Sequence, residues 1–441
     1  MNCLNQRVIA VWAACSIAVI APRASSAENW PQWRGPFFNG STTEKNLPDK
    51  WSETENIVWK APLPGQSGAT PVVWGNSIFV SSPDAQKNLL LLCIDRRDGK
   101  GRWQKQVAVG NRQQGNNNMA SPSPVTDGRR VYVIFGTGDL TAFDFSGQEL
   151  WTRNLAKEYG RFANMWQYGA SPLLFKGRLY IQVLQRNPPP PDYTHAIDDK
   201  PERESFILCL DPKTGKNIWR HVRPTDAIGE SKEAYTTPIP YEGKNGSEII
   251  VLGGDYVTAH DATTGDELWR CGGLNSKKNI WWRTVTSPVA ADGFIYVSAP
   301  KREPLLAVKD GGAGLVTDTH IAWKLTEYST DVCTPLYYQN KLFVLDGDRQ
   351  MMTCLNPKTG EKIWQGNLGL REIIRASPTG ADGKIYCISE KGNVVILDAV
   401  NEFKILATIP MSGEPCRSSI VASGGQLFIR TAENLYCIGK K

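Results

Sequence analysis

The feature that most constrains this chain is a short pattern that returns along it. Ala259-His260-Asp261-Ala262-Thr263-Thr264-Gly265-Asp266-Glu267-Leu268-Trp269 places a small residue, an acid, a Thr-Gly pair and a tryptophan at fixed offsets. Cys209, Asp211, Thr214, Gly215 and Trp219 repeat those offsets, as do Cys354, Asn356, Thr359, Gly360 and Trp364. Looser copies run from Cys93 through Asp95 and Gly99 to Trp103, and from Ala142 through Asp144 and Gly147 to Trp151. A pattern repeated in this way marks a structural unit that stacks on copies of itself.

The flanking residues keep the same rhythm. Period-two alternation broken by turn signals reads as antiparallel strands, in units spanning 69–107, 121–155, 170–222, 236–271, 287–325, 333–368, 377–409 and 418–438. Four strands per unit and a spacing of roughly 40 to 50 residues are the signature of a β-propeller. The last unit has only three strands. The unattached run Ile57-Val58-Trp59-Lys60-Ala61 is expected to supply its fourth and so close the ring without an open edge. The fold class is therefore all-β: one eight-bladed propeller of four-stranded antiparallel blades over residues 57–441. Residues 28–56 open with Trp30-Pro31-Gln32-Trp33-Arg34-Gly35-Pro36, too rich in Pro and Gly for regular structure, and read as a strap along the outside.

The motif has a mechanical explanation. Its acid and hydroxyl residue can bond turn amides, its glycine supplies a positive φ, and its tryptophan can fill the wedge between neighbouring blades. The slot shared by Ala259, Ala142, Cys93, Cys209 and Cys354 is then a tight buried site in which a thiol acts as a small hydrophobe. His195, His221, His260 and His320 are scattered and no Cys-x-x-Cys occurs, so no metal site is expected.

Residues 1–27 stand apart. Arg7, an apolar run from Val8 to Ala21 and the small residues Ala24-Ser25-Ser26-Ala27 read as a secretory signal peptide cleaved after Ala27. Lipid attachment at Cys15 is the rival, opposed by the bulky Trp12 where such sites resemble an aliphatic residue. The mature chain is then expected in the periplasm or outside the cell, as a monomer with no transmembrane segment. Removing Arg7 and Arg23 from 50 basic residues leaves 48 against 44 acidic ones, a net of +4 without any basic block. Nucleic-acid binding requires a concentrated positive face, so it is excluded.

The repeat resembles the tryptophan-docking motif of pyrroloquinoline quinone (PQQ) enzymes and of the wider PQQ-like propeller family. That family includes the propeller lipoprotein of outer-membrane β-barrel assembly. The opening Trp30-to-Pro36 segment is similar to that of exported PQQ-binding-like propellers. The resemblance covers the mature chain and implies the fold, but a scaffold shared by enzymes and non-enzymes does not choose an activity. In the quinoprotein dehydrogenases the resemblance would bring a disulfide between adjacent cysteines and a calcium ion held by Glu and Asn. This chain has no adjacent cysteine pair and no matching calcium motif. A non-enzymatic binding or scaffold propeller, without cofactor, is the expected function. A divergent PQQ- and calcium-dependent alcohol or sugar dehydrogenase is the alternative.

The expected site is the ring of loops leading from each tryptophan strand into the next blade, which surrounds the central channel. Those loops offer Asn118, Trp166, Gln167, Trp282, Arg283, Asp331, Arg375 and Arg417, none explained by the repeat. Aromatics there suit stacking on a sugar, a quinone or a partner's side chain, and arginines suit an anion. The expected occupant is a partner protein or a glycan-like ligand. A polysaccharide-active enzyme would need two carboxylates among Glu230, Glu233, Glu327 and Asp331. The Pro-rich insertion Arg186 to Glu204 in the third unit reads as a stiff solvated loop near the same mouth.

Overall fold

Eight sheets succeed one another along the chain of the computed structural model, each built on four antiparallel strands, with the last completed by the N-terminal strand. The structure describes residues 28–440, with positions 53, 201, 302, 400, 401 and 412 left out. The expected signal peptide and Cys15 lie outside the described residues. Blade one consists of Val72–Trp74, Ser77–Pro83, Asn88–Asp95 and Gly101–Val109. The other blades repeat that up-and-down order, and their short first strands contact one another around the central channel. Ile57–Pro62 pairs with Asn434–Gly439, placing Trp59 opposite Cys437, so the N-terminal strand completes blade eight as expected.

The repeated motif works as a clasp. Asp261 accepts the amides of Thr263 and Thr264 at 2.6 and 2.8 Å, and Gly265 turns the chain at φ +84°. Trp219 of the preceding blade lies flat on that glycine. The same dock sets Trp59 on Gly99, Trp103 on Gly147, Trp151 on Gly215 and Trp323 on Gly360. Indole N–H groups of Trp103, Trp151 and Trp323 donate to carbonyls of Phe145, Pro212 and Pro357 in the next blade. A β-carbon at Gly265 would sit 2.5 Å from Trp219. Gly265→Ala is therefore expected to cost about 2 kcal/mol, from left-handed strain plus a displaced indole, as measured by chemical denaturation. The slot cysteines Cys93, Cys209 and Cys354 are buried and unpaired. Burial pushes their thiols up, to about 11 for Cys93 and Cys209 and about 12 for Cys354.

A second clasp runs round the inside. The amide of Thr70 donates to the Ser123 hydroxyl, Ser123 to Ser171, Ser171 to Thr237, and Thr237 to Ser287. Ser287 continues to Thr334, Thr334 to Ser377 and Ser377 to Ser419, all at 2.8 to 3.2 Å. Each blade is thus bonded to the next at the head of its innermost strand. At the seam between blades eight and one, the Thr70 hydroxyl is buried without a partner. Arg430 secures that seam instead, donating to Ala69 and Ser81 carbonyls at 3.1 and 2.7 Å.

Three departures from the sequence reading affect the site. The strap does not run along the outside: Trp30 bridges to Val73, Pro31 accepts the Thr126 amide, and Ser41 bridges to Gly380. It therefore crosses the end of the channel opposite the loop-rich mouth. Arg34 is 2% exposed and donates to the carbonyls of Pro378, Asn39 and Pro335 at 2.8 to 2.9 Å. The Pro-rich insertion is anchored rather than merely solvated, because Tyr193 and Ala196 are buried against Ala163 and Met165. Finally, blade four gains a fifth strand, Gly314–Leu315, laid parallel to Glu267–Cys271 by the expanded connection of blade five.

Candidate functional site

The loops between blades converge on a cavity of about 480 Å³ at the centre of the ring. Arg283, Arg375, Arg417 and Trp166 line it, so four of the eight expected site residues come together there. The other four do not line it. Asn118 is buried and joins two loops, donating to the Gln66 carbonyl at 2.7 Å and accepting the Ala120 amide at 3.0 Å. Its neighbours Asn116 and Asn117 face the cavity. Gln167 is buried at a turn with φ +69°. Trp282 packs beneath Lys301, whose ammonium lies 5.5 Å from the ring centre. Asp331 opens on a smaller cavity of about 290 Å³ shared with Lys301 and Arg349.

Each of the three arginines lining the cavity is matched by a carboxylate. Arg283 bonds both oxygens of Asp331 at 3.2 Å and lies 3.8 Å from Glu230. Arg375 reaches Asp348 at 2.8 Å, and Arg417 reaches Glu390 at 2.6 Å. Arg417 also donates across the mouth to the carbonyl of Asn116. That residue sits at the tip of a hairpin formed by Gln113–Gln114 and Asn117–Asn118. Gly115 of the same tip lies against Trp166, whose indole N–H donates to Glu230 at 2.9 Å.

Behind Trp166 lies a buried knot. Glu233 accepts the Met165 amide and the hydroxyls of Tyr193 and Tyr235 at 2.7 to 2.9 Å, and pairs with Arg186 at 3.0 Å. Burial raises its carboxyl above the usual range against those bonds. Arg186 and Tyr193 belong to the Pro-rich insertion, so Glu233 ties that insertion to the mouth. Glu230, Glu233 and Asp331 are thus each held in place by positive or hydroxyl partners.

Sequence reasoning missed four elements of this site. The strap contributes Trp33 to the cavity lining, and Tyr235 and Glu390 line it as well. The hydroxyl ring was signalled by Ser or Thr before Pro at the head of seven units: Thr70, Ser123, Ser171, Thr237, Ser287, Thr334 and Ser377. Proline has no amide and holds the preceding residue extended, which aims that hydroxyl at the neighbouring blade.

With this geometry in view, comparison with known proteins separates the fold from the chemistry. A family model described as outer membrane protein assembly factor BamB matches residues 42–185 and 203–441. The chain belongs to this family of PQQ-like propellers. No curated protein matches it. BamB from Moraxella catarrhalis superposes with a TM-score of 0.61 at 14% identity, over 87% of this chain and 99% of that one. Quinohemoprotein alcohol dehydrogenase from Comamonas testosteroni gives 0.62 at 12%, over 94% of this chain and 81% of that one. A europium-containing methanol dehydrogenase gives 0.66 at 10%, over 93% and 98%. At these identities the likeness concerns the fold alone.

The mouth does not fit a carboxylate-held metal ion of the kind the dehydrogenase resemblance implies. Its carboxylates are spread round the ring and committed to guanidiniums. Among the described residues, the one group of three side chains with convergent ligand atoms is His221, His260 and Glu267, between blades three and four. Two of the scattered histidines therefore meet, with ring centres 4.8 Å apart. Both nitrogens of His260 are engaged, with Thr258 at 2.9 Å and the Gly265 carbonyl at 3.3 Å, and Arg270 holds Glu267 at 2.7 Å. Burial holds both imidazoles below their ordinary pKa, so they pack as neutral rings. Among the described residues no helix is long and apolar enough to cross a membrane.

Proposed function

We propose that this chain is an exported binding propeller, not an enzyme, and that it engages a partner protein through its loop-rich face. The observation that carries this reading is an exposed apolar patch on a rigid part of the rim. Ile228, Ile280 and Trp281 are 44%, 41% and 55% exposed, with Gly229 packed against Ile280. The loop behind them is tightly bonded. Ser231 donates to the Asn279 carbonyl at 2.5 Å and accepts the Trp282 amide at 3.0 Å. Asn275 accepts the Asn279 amide at 2.8 Å and donates to Asp255 at 3.0 Å. A preorganised aromatic on a polar rim is the usual anchor of a protein interface, since little ordering entropy is lost on binding.

The family description supports a partner in the cell envelope, and residues 1–27 supply the export signal. With a photo-crosslinking residue next to Trp281, envelope extract of the source cells is expected to yield one discrete adduct. Trp281→Ala should weaken capture of that protein by about tenfold or more with no change in melting temperature. Equal capture by both proteins would sink the assignment. The competing dehydrogenase reading predicts quinone absorbance on titration with PQQ and Ca²⁺; a flat titration is the expected result.

A further inference from the structure

Below the rim the channel is a blind pocket, and its chemistry differs from that of the rim. Arg34 and the strap close the end opposite the mouth, which makes Trp33 the floor of the 480 Å³ cavity. The Trp33 indole N–H has no protein partner among the described residues, and its ring is half-buried. The volume falls in the range of small-molecule sites.

The wall carries the hydroxyls of Ser123, Ser171, Thr237, Thr334, Ser377 and Ser419. Each accepts an amide from the preceding blade, which uses a lone pair. Among the described residues none of the six donates its proton to protein. A hydroxyl can donate while it accepts, so the fold leaves a ring of donors turned on the channel. Acceptors are present too. Glu390 lines the cavity, its carboxylate paired with Arg417 through Oε1 at 2.6 Å.

Net charge selects nothing here, because Arg283, Arg375 and Arg417 are each neutralised by a carboxylate. What remains is an indole floor, an indole in the wall and a surround of paired donors and acceptors. A ring ligand with one apolar face and hydroxyl groups around its edge satisfies all three. A polyanion would leave the carboxylates unmatched, and an apolar ligand would strand the hydroxyls. We propose that this pocket binds a neutral pyranose, free or as the end of a glycan, with its C–H face on Trp33 and its hydroxyls on the Ser/Thr ring.

The test uses the whole mature chain and a panel of glucose, galactose, N-acetylglucosamine, cellobiose and glucuronate, read by saturation-transfer NMR and tryptophan fluorescence. At least one neutral sugar is expected to bind saturably and more tightly than glucuronate. Preference for cellobiose over glucose would indicate a glycan end rather than a free monosaccharide as the natural source. Trp33→Ala should weaken that sugar by about tenfold, the worth of one stacking face, while Trp33→Phe stays within about threefold of wild type. Glu390→Gln, which frees Arg417, should shift preference toward glucuronate. Trp281→Ala should leave sugar binding unchanged, which separates this pocket from the rim. Absence of saturable binding by every neutral sugar, tighter binding of glucuronate by the wild type, or unaltered binding by Trp33→Ala would each overturn the proposal. Should Trp33→Ala lower the melting temperature, the Glu390→Gln shift decides.

Discussion

Replacing Arg34 with alanine is expected to destabilise the protein by about 4 kcal/mol and to release the N-terminal segment from the ring. The guanidinium is buried among three carbonyls, two of them from the prolines that lead into the innermost strands of blades six and seven. Burial pushes its pKa down to about 9, still above neutrality, so it stays charged at pH 7. Truncation leaves three carbonyls without donors and a side-chain-sized void. A hydrogen bond to a charged group contributes roughly 1.5 to 3 kcal/mol, and the three are not additive because the loop relaxes. Arg34→Lys should recover little, because an ammonium lacks the planar fork that spans separated acceptors. Denaturant unfolding gives the stability change, and limited proteolysis near residue 40 reports release of the strap. Stability of Arg34→Ala within about 1 kcal/mol of wild type would show that the plug is not held in this way.

The same residue shows why the strap was misread. Arg34 sits in a Pro- and Gly-rich segment without periodicity, where a cation is by default a surface group. Nothing local records that it is enclosed by residues some 300 positions away. The blades were legible for the opposite reason: the acid, the Thr-Gly turn and the tryptophan act within one hairpin and its immediate neighbour. Between these extremes lie Asn118, Gln167 and Trp282. As polar or aromatic residues in channel loops they met every sequence criterion for ligand contact, yet Asn118 is taken up by the Gln66 carbonyl and the Ala120 amide, Gln167 is buried at a turn, and Trp282 packs beneath Lys301. Tyr193 made the reverse error instructive, since an aromatic in a proline-rich insertion proved to be the anchor that fixes the insertion to Glu233.

Protein stability is also expected to fall as pH rises from about 4.5 to about 7, because of Glu248, by up to about 3 kcal/mol. The cause is an exception to the clasp. Blade five has Lys309-Asp310-Gly311-Gly312 where blades three, four and six have the Thr-Gly turn, and Trp269 lacks the usual carbonyl. Trp269 is fully buried with its indole N–H unpartnered, and both oxygens of the buried Glu248 lack an aligned bond. Burial pushes that carboxyl up from 4.5 to about 7, opposed by the Trp269 and Asn245 side chains and reinforced by Asp310 and Asp261. A raised folded-state pKa means that the folded chain holds its proton through a window where the unfolded chain has lost it. The stabilisation is complete below about 4.5, declines through the window and is gone above about 7. Glu248→Gln keeps the shape without the charge. Its unfolding free energy should exceed the wild type's at pH 8, match it near pH 4.5, and vary less between them. Parallel pH profiles for the two proteins would rule Glu248 out as the source.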